Sequence, residues 1–200
     1  GFVADNRTRE TWACRATSIA LKAMISQNHE IIYTIYGDLT LQYKVSSQLN
    51  SKGFFVKILD KLYYKRGIKY IFNFFGYGDF ISENVNKSLI KFNKKCLHKT
   101  SIYSIIEKKI NEADALVVNG EGTFIFSTPY RRDTIFYLLL LKKAQLLNKK
   151  TYCLNSIFSD CPQTNKNEFV LQQTINIFTN CDLITFRDKV SLKKYKCLYP

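Results

Sequence analysis

Apolar and polar positions alternate along the chain with two different periods. Phe2-Val3-Ala4 is a short apolar run that reads as the end of a strand. From Trp12 to about Ser26, the positions Cys14, Ala16, Ile19, Ala20, Ala23 and Met24 recur at helical spacing, with Thr11 placed to cap the helix and Trp12 read as a packing anchor or a stacking platform. Glu30 to Tyr36 is β-branched and aromatic, which predicts a strand closed by Gly37-Asp38. A helix from about Leu39 to Leu49 and a strand from Phe54 to Leu59 follow. Ile102 to Glu112 is amphipathic. Ala115-Leu116-Val117-Val118 is continuously apolar, as a strand buried on both faces must be, and the pattern breaks at Asn119-Gly120-Glu121-Gly122. Tyr130 to Leu147 has the composition of a helix lying heavily on a sheet. A strand at Thr151 to Leu154, a helix at Glu168 to Phe178, a strand at Asp182 to Phe186 and a basic helix from about Lys189 to Lys196 complete the series.

Such regular alternation excludes an all-β fold. It predicts an α/β class protein, a Rossmann-like open parallel sheet with helices on both faces, built as one domain over residues 1–200. The middle of the chain departs from this pattern. Phe54 to Phe80 interleaves ten aromatic residues with lysines, and an aromatic and basic insertion is expected at about 60–100. It reads either as a surface that docks on membrane, rings inserted and cations outward, or as helices whose lysine stems lie along a core.

Charge narrows the partners. Thirty Lys and Arg against 16 Asp and Glu give +14, which favours anionic partners. No helix-turn-helix or aromatic RNA-binding pattern accompanies the charge, so nucleic acid is not expected. The longest strongly apolar run, Ile135 to Leu141, is far short of the roughly 20 residues of a membrane helix. Gly1 to Asp5 has neither the basic stretch nor the long apolar stretch of a secretory signal. Cys14, Cys96, Cys153, Cys161, Cys181 and Cys197 are scattered without a C-x-x-C pair, and His29 and His98 have no ligand-spaced neighbours. Reduced structural thiols, no metal site and a cytoplasmic location are the expectation.

Ligands of open parallel sheets bind beyond the carboxyl ends of the strands. The loop after the first strand supplies Asn6 and Arg7, with Arg15 one turn into the next helix. The break after Val118 supplies Asn119, Gly120, Glu121, Gly122 and Thr123, then Arg131. Asn155 follows the Thr151 strand and Arg187 the last. Six of the seven arginines fall in or just after these turns, all but Arg66, whereas lysines decorate the helices throughout. A planar guanidinium fork grips phosphate or carboxylate in a way lysine does not, so the pattern suggests a site for an anion. The two glycines would let backbone N–H groups approach it, with Glu121 as a base or hydroxyl acceptor. The same loop also reads as a tight turn with no ligand, and Glu121 as a carboxylate that holds it together. Arg187 reads as a ligand contact or as the partner of a loop carboxylate, and Asp188 as a helix cap.

Taken in order, Asn6, T-W-A-C-R-A-T-S-I-A-L, A-D-A-L-V-V-N-G-E-G-T-F, the R-R-D before a long helix, N-K-K-T-Y-C-L-N-S and C-D-L-I-T-F-R-D-K-V-S resemble the polysaccharide pyruvyl transferase family across nearly all of the chain. The resemblance implies transfer of a pyruvyl group from phosphoenolpyruvate to a sugar, forming a cyclic ketal on a bacterial surface polysaccharide such as capsule. It implies phosphoenolpyruvate as donor substrate with no further cofactor, and a sugar or lipid-linked saccharide as acceptor at the inner face of the plasma membrane. Family members are usually longer and two-lobed, similar to GT-B glycosyltransferases. The chain is accordingly expected to be the N-terminal lobe, with further donor-binding His and Arg residues on a second. By the same resemblance Asn119, Glu121 and Thr123 would orient sugar hydroxyls, and Arg7, Arg15 and Arg187 would supply positive potential. A GT-B-like glycosyltransferase, another capsule-sugar transferase and a sugar-binding lobe without activity alone are the alternatives.

Overall fold

The computed structural model describes residues 1–7, 11–36, 81–97 and 102–198. Its elements run β1 (Phe2–Asp5), α1 (Trp12–Ser26), β2 (Thr34–Tyr36), α2 (Val85–Cys96), α3 (Ile102–Glu112), β3 (Ala115–Phe126), α4 (Arg132–Leu146), β4 (Lys150–Asp160), α5 (Glu168–Phe178), β5 (Leu183–Phe186) and α6 (Lys189–Leu198). The Leu39–Leu49 helix, the Phe54–Leu59 strand and the aromatic segment 54–80 lie outside the described residues.

The five strands form one sheet in the order β2-β1-β3-β4-β5, with every neighbouring pair parallel. The chain moves one way from β1 to β2 and the other way from β3 onward. Because parallel crossovers are right-handed, this reversal places helices on opposite faces. Asn119 of β3 reaches Ser18 of α1 on one face. On the other face α4 packs on β3 and β4 and touches α2 and α5. Tyr195 of α6 meets Phe178 of α5 and Phe158 of β4, so α6 shares that second face.

Local chemistry explains the boundaries. Asn84 and Asn167 cap α2 and α5, accepting from the backbone N–H of Lys87 and Val170 at 3.0 Å each. Thr11 occupies the cap position of α1, but its side chain makes no capping bond. α4 is apolar around most of its circumference and is buried from Thr134 to Leu141. Each of its fully buried leucines stabilises the fold by about 1.5–3 kcal/mol relative to exposure. Phe124, Phe126, Phe158 and Phe178 stack edge-on beneath it.

Several expectations are corrected. The pairing of Glu30–Tyr36 as strand shrinks to Thr34–Tyr36, three residues beside the short β1. β3 does not stop at Asn119. It continues to Phe126, and β4 continues past Leu154 to Asp160, so Asn119–Thr123 and Asn155 lie within strands rather than in loops. Trp12 is no packing anchor: it is 75% exposed, as Ile19 and Met24 on the same helix are largely exposed.

Candidate functional site

The reversal of chain direction lies between β1 and β3, and open α/β sheets bind ligands at the carboxyl side of that point. Asp5 ends β1 there with its carboxylate fully buried. Arg7 closes back on it, Nη2 to Oδ2 at 2.8 Å and Nε to Oδ1 at 3.0 Å, and Lys22 of α1 stands 3.2 Å from Oδ2. Asn6 then turns inward. Its backbone N–H donates to Ser18 Oγ at 2.8 Å, and its Nδ2 donates to Oε2 of Glu121. Oε1 of Glu121 accepts from the Thr17 hydroxyl at 3.3 Å. The Asn6 side-chain oxygen, in a residue 3% exposed, is buried without a hydrogen-bond partner among the described residues.

Behind this pair runs a polar layer. Asn119 donates to Ser18 Oγ at 3.2 Å and to Ala4 O at 3.4 Å, and accepts from Asn155 Nδ2 at 3.2 Å. Asn155 is tied to β5 by its own N–H, which donates to Thr185 Oγ1 at 2.9 Å. Ala4, Glu121 and Asn155 all have left-handed backbone, at φ 62°, 35° and 56°. For a residue other than glycine this conformation costs about 1–2 kcal/mol, and each instance coincides with a break in strand register. The kink at Asn155 turns its side chain to the Asn119 face.

The first turn of α4 fixes the backbone beyond Glu121. Arg131 Nη1 donates to Gly122 O, and the Thr134 hydroxyl donates to Thr123 O, both at 2.6 Å. Arg131 Nη2 lies 3.5 Å from Asp133 Oδ2. Arg187 enters from the end of β5, its N–H donating to Ser156 O at 2.9 Å. Its guanidinium makes no ion pair within 4 Å among the described residues. Asp188 caps α6 through the Ser191 N–H at 2.7 Å, and this bond holds its carboxyl below the usual carboxylate range.

These groups enclose a cavity of about 140 Å³ lined by Asn6, Cys14, Glu121, Gly122, Thr123, Arg131, Asp133 and Arg187. It is smaller than the roughly 300–1,000 Å³ of a complete small-molecule pocket, so it suits one end of a ligand. A larger cavity of about 400 Å³ opens at the opposite, N-terminal edge of the sheet beside His29, Glu112 and Asp114. We place the site at the switch point, where an unpartnered buried oxygen and paired charges converge.

Asn6, Glu121, Gly122, Thr123, Arg131 and Arg187 thus meet in one space, and the other expected site residues do not line it. Asn119 and Asn155 are spent on the polar layer behind. Gly120 is needed for packing rather than for approach to an anion, because a Cβ there would sit 2.0 Å from Ser156 Oγ. Gly122 has open space around it. Arg7 is committed to Asp5. Arg15 is exposed, since Cys14 faces the cavity and the next helical residue points about 100° away. Cys14 and Asp133 line the cavity without having been singled out in the sequence. The R-R-D at the start of α4 was the available signal for Asp133.

The charges in the cavity, Glu121 and Asp133 against Arg131 and Arg187, balance formally. Of the arginines expected at the site for an anion, Arg131 and Arg187 line the cavity among the described residues. No helix among the described residues is long and apolar enough to cross a membrane. The family model for polysaccharide pyruvyl transferase matches residues 17–199. No curated protein and no solved structure matches the chain.

Proposed function

The chain belongs to the polysaccharide pyruvyl transferase family, and on that premise we propose that it takes part in moving the pyruvyl group of phosphoenolpyruvate onto two hydroxyls of a surface saccharide, with the switch-point cavity receiving those hydroxyls. The observation that carries this reading is Asn6 Oδ1, a buried acceptor without a donor, beside the Glu121 carboxylate. A buried carbonyl oxygen left unpaired costs about 1–3 kcal/mol, which a saccharide hydroxyl would recover by donating to it.

In this reading Glu121 is the general base, its carboxylate oriented by Asn6 and Thr17. Arg187 and Arg131 present positive charge to the donor's phosphate and carboxylate, and to charge developing on the departing phosphate. Asn6, Gly122 and Thr123 orient the sugar. Asn119, Gly120 and Asn155 act only through the scaffold. The acceptor is a sugar or lipid-linked saccharide met at the cytoplasmic face of the membrane.

The test is transfer from phosphoenolpyruvate to methyl hexopyranosides and their phosphates, followed by phosphate release and new ketal methyl signals in proton NMR. Glu121→Gln preserves the shape and both hydrogen-bond partners as far as an amide can, and is expected to cut transfer by about 10²–10⁴. Full transfer by the Gln variant, or a demand for a nucleotide sugar in place of phosphoenolpyruvate, refutes the proposal.

A further inference from the structure

Ketal formation moves two protons, and the cavity holds two carboxylates. Resting on the pyruvyl transfer reading above, we infer that Asp133 is the second proton-transferring group of the site, serving the second saccharide hydroxyl and the leaving phosphate, while Glu121 serves the first.

The two carboxylates are differently placed. Glu121 is 5% exposed, and both of its oxygens are occupied, by Asn6 and by Thr17. The Asp133 side chain is 22% exposed. Its Oδ1 accepts from the Thr134 N–H at 3.0 Å, but among the described residues Oδ2 meets only Arg131, at 3.5 Å, beyond a good charge-assisted hydrogen bond. Asp133 therefore offers an oxygen with spare capacity to a cavity that Arg131 and Arg187 also line. It also sits in the first turn of α4, beside Arg131 at the mouth of the helix. Asn6, whose buried side-chain oxygen has no donor among the described residues, lines the same cavity. Asn6 and Glu121, and Asp133, Arg131 and Arg187, thus line one space.

The chemistry balances as follows. The first hydroxyl oxygen bonds to C2 of the enolpyruvate as C3 gains a proton. That proton is the one Glu121 takes from the hydroxyl and returns to C3. The C2–O bond to phosphate then breaks, and phosphate leaves with the electron pair. The second hydroxyl bonds to C2, and Asp133 passes its proton to a phosphate oxygen. Both carboxylates end unchanged, and a diol plus phosphoenolpyruvate becomes a ketal plus inorganic phosphate.

Running the reaction in deuterium oxide separates the halves, because deuterium enters the C3 methylene of recovered phosphoenolpyruvate whenever the first addition reverses. The acceptor is the methyl hexopyranoside that the unmodified chain uses best. Asp133→Asn is expected to retain this exchange within about threefold and to release phosphate at least a hundredfold more slowly. Glu121→Gln is expected to lose both. Asp133→Ser, which keeps an acceptor for the Thr134 N–H, should match the Asn variant, and thermal midpoints show that each variant is folded. Normal phosphate release by Asp133→Asn overturns the inference and leaves the proposed function standing. So does equal loss of exchange and release, because a merely structural Asp133 would lower both together. Failure of the unmodified chain to release phosphate with any hexopyranoside refutes the proposed function and this inference with it.

Discussion

Gly120→Ala tests the geometry of the site without touching a ligand group. The new methyl would sit 2.0 Å from Ser156 Oγ, 2.8 Å from Ser156 Cβ and 3.1 Å from a Phe124 ring carbon. Ser156 is fully buried, with its Oγ 3.2 Å from Cys153 Sγ, so the hydroxyl cannot swing into solvent. Rotating it away relieves the first contact but not the second, because Cβ is fixed by the backbone of β4. Overpacking of this kind costs about 1–3 kcal/mol. For a chain of this size that lowers the thermal midpoint by roughly 2–12 °C, taking about 2–4 °C per kcal/mol. Ser156→Gly removes both offending atoms. The double variant Gly120→Ala with Ser156→Gly should recover at least about 1 kcal/mol relative to additivity, measured by circular dichroism melting of the four chains of the cycle. A midpoint unchanged in Gly120→Ala, or strict additivity in the cycle, would show that β3 and β4 do not approach as described.

Glu107→Ala leaves the largely buried Lys143 ammonium without its 2.5 Å partner and with only Asn93 Oδ1 at 3.0 Å. Glu107 itself keeps some solvent, so the expected loss is about 2 kcal/mol by urea unfolding, below the 3–5 kcal/mol of a fully buried pair. Thiol labelling should reach Cys161 well before Cys153 or Cys181: a hydrogen bond from Thr164 lowers the first, whereas burial pushes Cys181 up to about 11 and Cys153 higher still. Mass mapping after brief maleimide treatment reads the order, and prior modification of Cys153 contradicts it. The Asp188 carboxyl is depressed in the folded chain, so its cap stabilises fully above the ordinary carboxylate range and weakens as pH falls through the lowered value. Asp188→Asn should accordingly flatten the acid limb of stability against pH, and an unchanged limb rejects the assignment.

Much of the fold was legible because its strongest signals were local. Trp12–Ser26, Ile102–Glu112 and Glu168–Phe178 have the helix bounds that their periodicity predicts, and the run Ala115–Val118 begins a doubly buried strand. What misled was polar sequence inside a strand. Asn119, Glu121 and Asn155 read as loop because buried polar side chains are ordinarily costly, yet here Asn119 accepts from Asn155 and donates to Ser18, and Glu121 accepts from Asn6. Those partners are more than 30 residues apart in sequence, so no window along the chain reveals them. The arginines were legible as a group and not one by one. Arg131 and Arg187 reach the cavity, while Arg7 is captured by a buried aspartate two residues away. Asp133 went unnoticed because an acidic residue in a first helical turn has an ordinary explanation.

The left-handed residues Ala4, Glu121 and Asn155 lie close to a single row, since the register sets Val3 beside Val118 and Asn119 beside Leu154. The sheet is creased along that row. Below it, all five strands are paired in register; above it, β3 and β4 run on together as a two-stranded blade that ends at Phe126 and Asp160. Phe124, Phe126 and Phe158 of the blade are rooted in the apolar core, so the blade cannot tilt freely, and the shape of the cavity at the crease is tied to the packing that keeps the chain folded.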